Sequence, residues 1–126
     1  MTAKAGPFEV RRVEKPWGHE IIWAHSEHYV GKVLHIKAGH ALSVQFHHQK
    51  DETIHLLRGE MIYRVKVGAV LTDVTLRAGQ SFRNTPGTVH QMEAVTDCDV
   101  LEASTPHLDD VVRLSDRYGR EGTSAP

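Results

Sequence analysis

Short segments of strand-like sequence recur along this chain, and turns rich in glycine, proline and aspartate separate them. None of these segments shows a sustained apolar period of 3.6 residues, which is the signal of an amphipathic helix. Many short strands joined by such turns are typical of an all-β sandwich or barrel. The segments that we expect to form strands are 20–24, 29–37, 42–48, 53–57, 61–67, 70–77, 81–84, 89–95 and 99–104.

The length and composition exclude several classes of protein. A chain of 126 residues predicts one domain, 1–126, and its 15 basic and 16 acidic residues leave no basic surface for nucleic acid. The apolar runs are too short for a membrane span, and the first residues lack the apolar stretch of a signal peptide. Cys98 is the single cysteine, so a cytoplasmic protein without an internal disulfide is expected. The small, polar residues 121–126 are expected to be disordered.

The segment 42–49 has two different faces if it continues as a regular strand, because alternate side chains then point in opposite directions. One face is polar and suits a ligand cavity; it carries Ser43, Gln45, His47 and Gln49. The other face is more apolar and needs cover; it carries Leu42, Val44, Phe46 and His48. An N-terminal segment or a second subunit could provide that cover, and we therefore expect a homodimer.

Four side chains have the chemistry and spacing of a divalent metal site. His47 and Gln49 share one strand face, Glu52 opens the next predicted strand, and His90 follows a Pro-Gly turn. Imidazole nitrogen and carboxylate oxygen suit zinc, manganese, iron, nickel and cobalt, so the ligands do not identify the metal. The competing interpretation is a polar hairpin with scattered histidines. Gln49 is the weakest member of the set, since a neutral amide is a poor metal ligand.

Several motifs together resemble one known family. They are Lys15-Pro16-Trp17-Gly18, Leu42-Ser43-Val44-Gln45, the block 39–59, Asn84-Thr85-Pro86-Gly87-Thr88-Val89-His90, and the segment from Asp109 to Arg120. The blocks 39–59 and 79–90 look like the two cupin motifs. The chain is most similar to the C-terminal cupin domain of type II mannose-6-phosphate isomerases, which are often fused to a mannose-1-phosphate guanylyltransferase. This resemblance covers about residues 13–120.

The resemblance implies a cupin (jelly-roll) β-barrel with short N-terminal strands and an irregular C-terminal tail. It also implies one bound divalent metal ion and a sugar or sugar-phosphate substrate. Carried over by position, the metal shell would be His47, Gln49, Glu52 and His90. Arg113 holds a position that could reach an anionic substrate. An ion pair of Arg113 with a neighbouring aspartate, Asp109 or Asp116, explains it equally well.

The chain departs from the family pattern at four positions of the first motif. The family usually has histidine where Gln49 stands, arginine at Lys50, and His-Trp at Thr53 and Ile54. Lysine does not reproduce the planar fork of arginine. The isomerase activity is therefore less firmly implied than the fold.

The leading hypothesis is an aldose–ketose isomerase, in which the metal polarises the substrate carbonyl and a base moves a proton between neighbouring carbons. Lys50, Glu102 or a metal-bound hydroxide could be that base, and we select Lys50, Glu102 and Arg113 as catalytic candidates. Lys32 and Arg64 could contact a substrate anion, although a solvated strand edge explains each more simply. The alternatives are another metal-dependent cupin of a biosynthetic pathway, namely a dioxygenase, cyclase or epimerase, and a non-catalytic metabolite-binding cupin.

Overall fold

Antiparallel strands make up most of the described chain. The computed structural model describes residues 4–123, which contain eleven strands and no helix. The strands are β1 (Arg11–Lys15), β2 (Gly18–His25), β3 (Val30–Ile36), β4 (Val44–Phe46), β5 (Glu52–Arg58), β6 (Met61–Val67), β7 (Val70–Leu76), β8 (Ser81–Asn84), β9 (His90–Ala94), β10 (Cys98–Ser104) and β11 (Val112–Ser115). Within residues 4–123, therefore, no helix could cross a membrane.

The strands form two sheets that enclose one core. The larger sheet has the order β1-β2-β3-β10-β5-β8 and the smaller has the order β11-β4-β9-β6-β7. Side chains from both sheets meet in a single apolar cluster that includes Leu34, Ile54, Tyr63 and Met92. The all-β, jelly-roll expectation is confirmed.

Each of the nine predicted strands is present, and two strands lie outside the prediction. β1 has the sequence RRVEK, which is mostly exposed and pairs with β2 at the edge of the larger sheet. β11 is four residues long and pairs only with β4 in its sheet. β1 has no apolar alternation, and the alternation in β11, VRLS, is only four residues long; both are edge strands.

The predicted strand 42–48 is too long, since β4 ends at Phe46. Beyond this point the main-chain N–H groups of residues 48–50 donate hydrogen bonds to the carboxylate of Asp110, over 2.6–2.9 Å, instead of pairing with a strand. Regular alternation therefore does not extend to Gln49, and the predicted polar face ends before that residue.

Leu42 corrects the predicted apolar face. It precedes β4, its N–H donates to the carbonyl of Met92 over 2.9 Å, and its side chain is buried in the core. Alternation fails here because only an isolated bridge, between Ala41 and Glu93, pairs this part of the chain. Leu42 consequently needs no second subunit to cover it.

The interior changes from apolar to polar along the strands. On the inner face of β5, Leu56 and Ile54 are followed by Glu52. On β10, Val100 pairs with Leu56 and Glu102 pairs with Ile54, so the carboxylates of both strands lie toward the same end. This polar end of the interior contains the candidate site.

The last described residues are ordered by main-chain hydrogen bonds, although their small and polar side chains suggest disorder. The N–H of Gly122 donates to the carbonyl of Arg113 over 3.1 Å, and the N–H of Thr123 donates to that of Arg120 over 3.0 Å. The expectation of disorder for residues 124–126 lies outside the described residues.

Candidate metal centre

Three strand ends bring His47, Glu52 and His90 together. His47 directly follows β4, Glu52 begins β5 and His90 begins β9. The turn before β9 is hydrogen-bonded to the residue that follows β4, since the N–H of Gly87 donates to the carbonyl of His47 over 2.8 Å. Gly87 has φ +85°, a conformation that favours glycine. All three residues are at least 98% buried.

Both imidazoles are held in the tautomer that a metal requires. Nδ1 of His47 donates to the carbonyl of Asp110 over 2.5 Å, and Nδ1 of His90 donates to the carbonyl of Thr88 over 2.9 Å. A carbonyl oxygen can only accept, so the proton of each neutral ring lies on Nδ1. The lone pair of each Nε2 then faces the interior. Such a hydrogen bond on the far nitrogen is the usual support of a metal-ligating histidine.

The three ligand atoms converge on one point. Oε1 of Glu52 lies 2.6 Å from Nε2 of His47 and 3.7 Å from Nε2 of His90. None of the three atoms has a hydrogen-bond partner of acceptable geometry, and they lie within 4.8 Å of one another. Buried acceptors without a donor are costly, and a cation between them would satisfy all three at once. The donor set therefore fits a divalent metal ion.

The electrostatics of the site keep these ligands in their binding forms. Burial opposes the ionisation of Glu52, but the nearby Lys50 ammonium is the main group that opposes this effect, and the pKa of Glu52 lies well below the usual range. Burial is also the main reason that the pKa of His90 is lowered. A carboxylate and a neutral imidazole are the protonation states that bind a metal.

The catalytic candidates lie beside this cluster, in one cavity that His47 also lines. Nζ of Lys50 is 3.1 Å from Oε2 of Glu102 and 4.0 Å from Oε1 of Glu52. Burial disfavours the ammonium, but the two carboxylates outweigh burial and raise the pKa of Lys50. Lys50 is therefore a fixed positive charge and is not suited to act as a base. Arg113 reaches the same cavity from β11.

Arg113 lies close enough to Asp116 for the two charges to interact. Asp116 also pairs with Arg120, over 2.8 Å. Arg113 donates from Nη1 to the hydroxyl of Thr123 over 2.9 Å, and its side chain is buried at the cavity. Both interpretations of Arg113, contact with a substrate anion and an ion pair with a neighbouring aspartate, therefore remain predictions.

Gln49 is not brought together with the other three predicted ligands. It is exposed and lies at a surface depression with His107 and Asp109. Gln49 does not continue the inner face of β4, because this strand ends at Phe46. The amide that lines the cavity beside His47 is Gln45, which pairs in register with His90. Gln45 belongs to the polar face predicted for segment 42–49, and this position is the sequence feature that could have identified it as a residue of the cavity.

Three further charged residues line the cavity: Lys15, which opens the Lys-Pro-Trp-Gly motif, Glu20 and Lys32. Glu20 lies between two lysines, 3.3 Å from Nζ of Lys15 and 2.8 Å from Nζ of Lys32. The solvated-edge interpretation of Lys32 is wrong, because β3 lies between β2 and β10 and the side chain is buried. Arg64 lies elsewhere, on β6, where it pairs with Asp73 and Glu93.

Comparisons with known proteins agree with this architecture. Residues 32–104 match the sequence profile of the cupin domain. The mannose-1-phosphate guanylyltransferase ManC of Salmonella typhimurium is 34% identical over 115 residues, which is 87% of this chain and 23% of that protein. The chain therefore spans less than a quarter of the length of this relative.

Two solved structures illustrate the likeness in fold. KdgF from a Halomonas species has a TM-score of 0.65 at 19% identity, over 79% of this chain and 88% of that chain. The oxalate decarboxylase of Bacillus subtilis, studied for its Mn(II) centres, has a TM-score of 0.66 at 14% identity, over 77% of this chain and 27% of that chain. At these identities the likeness shows a shared fold alone.

Proposed function

Because this chain belongs to the cupin family, we propose that it is a metal-dependent enzyme that interconverts the aldose and ketose forms of a sugar or sugar phosphate. The observation that carries this proposal is the convergence of His47, Glu52 and His90 beside the buried Lys50–Glu102 ion pair. A metal-ligand set next to a charged pair provides the groups that a proton shift along a sugar requires.

The metal shell of this proposal consists of His47, Glu52 and His90. Gln49 is left out because it is exposed, and Gln45 is the amide available to a fourth position. Three protein ligands leave coordination positions for a substrate. A divalent ion bound there, whether zinc, manganese, iron, nickel or cobalt, would supply Lewis acidity for the carbonyl and its neighbouring hydroxyl.

The remaining chemistry belongs to side chains of the cavity. Glu102 would remove the proton from the hydroxyl-bearing carbon beside the carbonyl and return it to the carbonyl carbon, while the proton of that hydroxyl passes to the former carbonyl oxygen, so that no co-reactant is consumed. Lys50, which stays protonated, would stabilise the negative charge that develops on the substrate oxygen. Both side chains are buried, so bulk water does not compete for the transferred proton.

Turnover tests the proposal directly. Metal-loaded protein is incubated with mannose-6-phosphate and with free aldoses, and ketose is measured. The Glu102→Gln variant is expected to lose about 10²- to 10⁴-fold in kcat while it keeps its metal content. Glu60→Gln, at an exposed position, is the matched control and should keep its kcat. Absence of ketose with every sugar and every metal would rule out the isomerase.

The ligand set also supports a second candidate function. Two imidazoles and one carboxylate with open positions are typical of non-haem iron(II) oxygenases. Oxygen uptake by protein loaded anaerobically with iron(II), in the presence of a sugar acid, separates this activity from an isomerase, which consumes no oxygen. A protein that binds metal and sugar without either activity would be a binding module.

The outer face of the larger sheet supports a homodimer. Trp23 and Leu101 are 52% and 37% exposed there, and together with Val33 and Ala103 they line an almost wholly apolar depression. An exposed apolar area of this kind is typical of a protein interface. The proposed dimer therefore uses the face opposite the core, not the segment before β4.

A further inference from the structure

An asparagine is buried beside the candidate metal ligand Glu52, on the inner face of the larger sheet. Asn84 ends β8, is 0% exposed and pairs in register with Glu52 at the start of β5. Directly opposite residues of antiparallel strands lie on the same face, with Cβ atoms about 4.5–5.5 Å apart. The preceding pair of this face, Ile54 with Phe82, is apolar and contributes to the core. Asn84 therefore stands where an apolar side chain would continue the core, and its amide needs hydrogen-bond partners.

The two polar atoms of this amide differ in their hydrogen bonding. The hydroxyl of Tyr63 donates to Oδ1 of Asn84 over 2.5 Å, and both groups are buried. Within residues 4–123, Nδ2 of Asn84 has no hydrogen-bond partner. A buried NH₂ group without an acceptor is costly, and such groups are rare in folded proteins. An acceptor that reaches Nδ2 would remove this cost.

Tyr63 holds the amide in this orientation. Its ring packs against Phe82, with centroids 4.7 Å apart, and lies nearly parallel to the ring of His90, with centroids 6.2 Å apart. Burial raises the pKa of Tyr63 and the nearby Glu52 carboxylate adds to this effect, so the hydroxyl keeps its proton and remains a donor. The carbonyl of Asn84 therefore faces Tyr63, and the NH₂ group faces away from it. Tyr63 thus connects Asn84 on β8 with the candidate ligand His90 on β9.

Glu52 is the buried acceptor that the strand register places opposite Asn84. In the described part of the chain, its Oε1 atom also has no hydrogen-bond partner. A carboxylate can accept at about four positions, so it can bind a metal ion and accept from an amide at the same time. A hydrogen bond from a second side chain to a ligating carboxylate is a common support of metal sites, because it fixes the orientation of the ligand.

We propose that Asn84 is a positioning residue of the metal centre, which donates a hydrogen bond from Nδ2 to the Glu52 carboxylate and fixes the orientation in which Glu52 binds the ion. The hydroxyl of Tyr63 aligns Asn84 for this role. This inference rests on the metal shell of the proposed function, but on no particular substrate or reaction. The described residues that line the cavity beside His47 include neither Asn84 nor Tyr63, so the pair acts on the ligand and does not contact the substrate.

Two measurements test this role together, namely calorimetric titration with Mn(II) and with Zn(II), and urea unfolding of the metal-free protein. Asn84→Leu keeps a branched side chain but removes the donor, and it should lower the metal affinity about 10- to 100-fold. Ser81→Ala is the matched control on the same strand. It removes the hydrogen bond of 2.8 Å that joins Ser81 to Nδ1 of His55 across β8 and β5, and it should keep the wild-type affinity.

The double variant Tyr63→Phe with Asn84→Leu distinguishes positioning from a structural role. Asn84→Leu alone leaves the Tyr63 hydroxyl without its acceptor, so a loss of stability in this variant does not decide the result. The double variant replaces both partners of the hydrogen bond by apolar groups, and it should unfold at the same urea concentration as wild type or at a higher one. Its metal affinity should nevertheless be about 10- to 100-fold lower. A pair that only stabilises the fold predicts the reverse, a loss of stability with unchanged affinity.

The outcomes separate this inference from the proposed function. Weaker metal binding by the double variant supports the role of Asn84 even if the wild type forms no ketose, in which case only the isomerase fails. An unchanged metal affinity in the double variant overturns the role of Asn84, and the isomerase still stands if ketose is formed. A wild type that binds neither Mn(II) nor Zn(II) overturns both.

Discussion

Replacement of Asp110 by asparagine should destabilise the protein by about 1–2 kcal/mol at neutral pH. The carboxylate of Asp110 accepts three main-chain hydrogen bonds, from the N–H groups of His48, Gln49 and Lys50. Asparagine keeps one oxygen as an acceptor but has an NH₂ group in place of the other oxygen. This donor would then face a main-chain N–H group, which is also a donor. The change removes one negative charge and leaves the carbonyl that orients His47 in place.

Two arguments give the magnitude. Burial raises the pKa of Asp110, but the three N–H groups outweigh it and lower the pKa from its ordinary 3.8 to about 2. This difference corresponds to about 2.5 kcal/mol, which is reduced to about 1–2 because Asp110 is partly exposed. The hydrogen bonds lead to the same magnitude. His48 and Gln49 are exposed, so their N–H groups can bind water when the carboxylate is lost, and only part of the energy of three hydrogen bonds is lost with it.

Urea unfolding of metal-free protein between pH 7 and pH 3 tests both the size and the cause. A pKa that is lower in the folded chain stabilises it above pH 3.8, and this stabilisation is lost as the pH falls through 2. About half of the difference between wild type and Asp110→Asn should therefore remain at pH 3. The exposed neighbour provides the control, Asp109→Asn, which should match wild type. A difference that stays constant over this pH range would refute the electrostatic cause.

Three other predictions concern the metal, a turn and the dimer. His90→Ala should lower the affinity for Mn(II) or Zn(II) by at least about 100-fold, whereas Gln49→Ala should change it by less than about twofold in the same titration. Gly59→Ala should cost about 3 kcal/mol in the free energy of unfolding, because Gly59 has φ +105° and a Cβ would lie 2.3 Å from the carbonyl of Asp97; a midpoint equal to that of wild type would contradict this. Trp23→Lys should convert the proposed dimer to a monomer, and light scattering measures the molar mass of each protein; a monomeric wild type would exclude the proposed interface.

Local sequence predicts most of this fold, because its main elements are strands bounded by turns. The predictions that were wrong or missing concern elements that depend on contacts between residues far apart in the chain. Only the pairing of β1 with β2 identifies RRVEK as a strand, since its exposed and charged side chains carry no apolar pattern. The end of β4 depends on Asp110, which lies 60 or more residues along the chain from the N–H groups that it binds.

The residues of the candidate site also fall into two groups, those that the sequence predicts and those that depend on contacts between distant parts of the chain. His47, Glu52 and His90 belong to recognisable motifs, and the structure places them together. Lys15 belongs to a family motif, but its contact with Glu20, like that of Lys32, could not be predicted from spacing, because these contacts depend on the register of neighbouring strands. Gln49 shows the limit of extending an alternating pattern: a strand that ends two residues earlier than predicted leaves a predicted ligand at the surface.

The polar end of the interior contributes little to stability, and this bears on its role. Glu52 and Glu102 occupy inner-face positions directly beyond Ile54 and Val100, where apolar side chains would continue the core. Buried ion pairs are often no more stabilising than apolar side chains of similar volume, because the loss of hydration offsets their attraction. An arrangement of this kind, with three ligand atoms that have no hydrogen-bond partner, therefore costs stability in the metal-free protein. A bound cation between Glu52 and the two imidazoles would remove part of that cost, so the same groups that weaken the metal-free fold favour the binding of a metal ion.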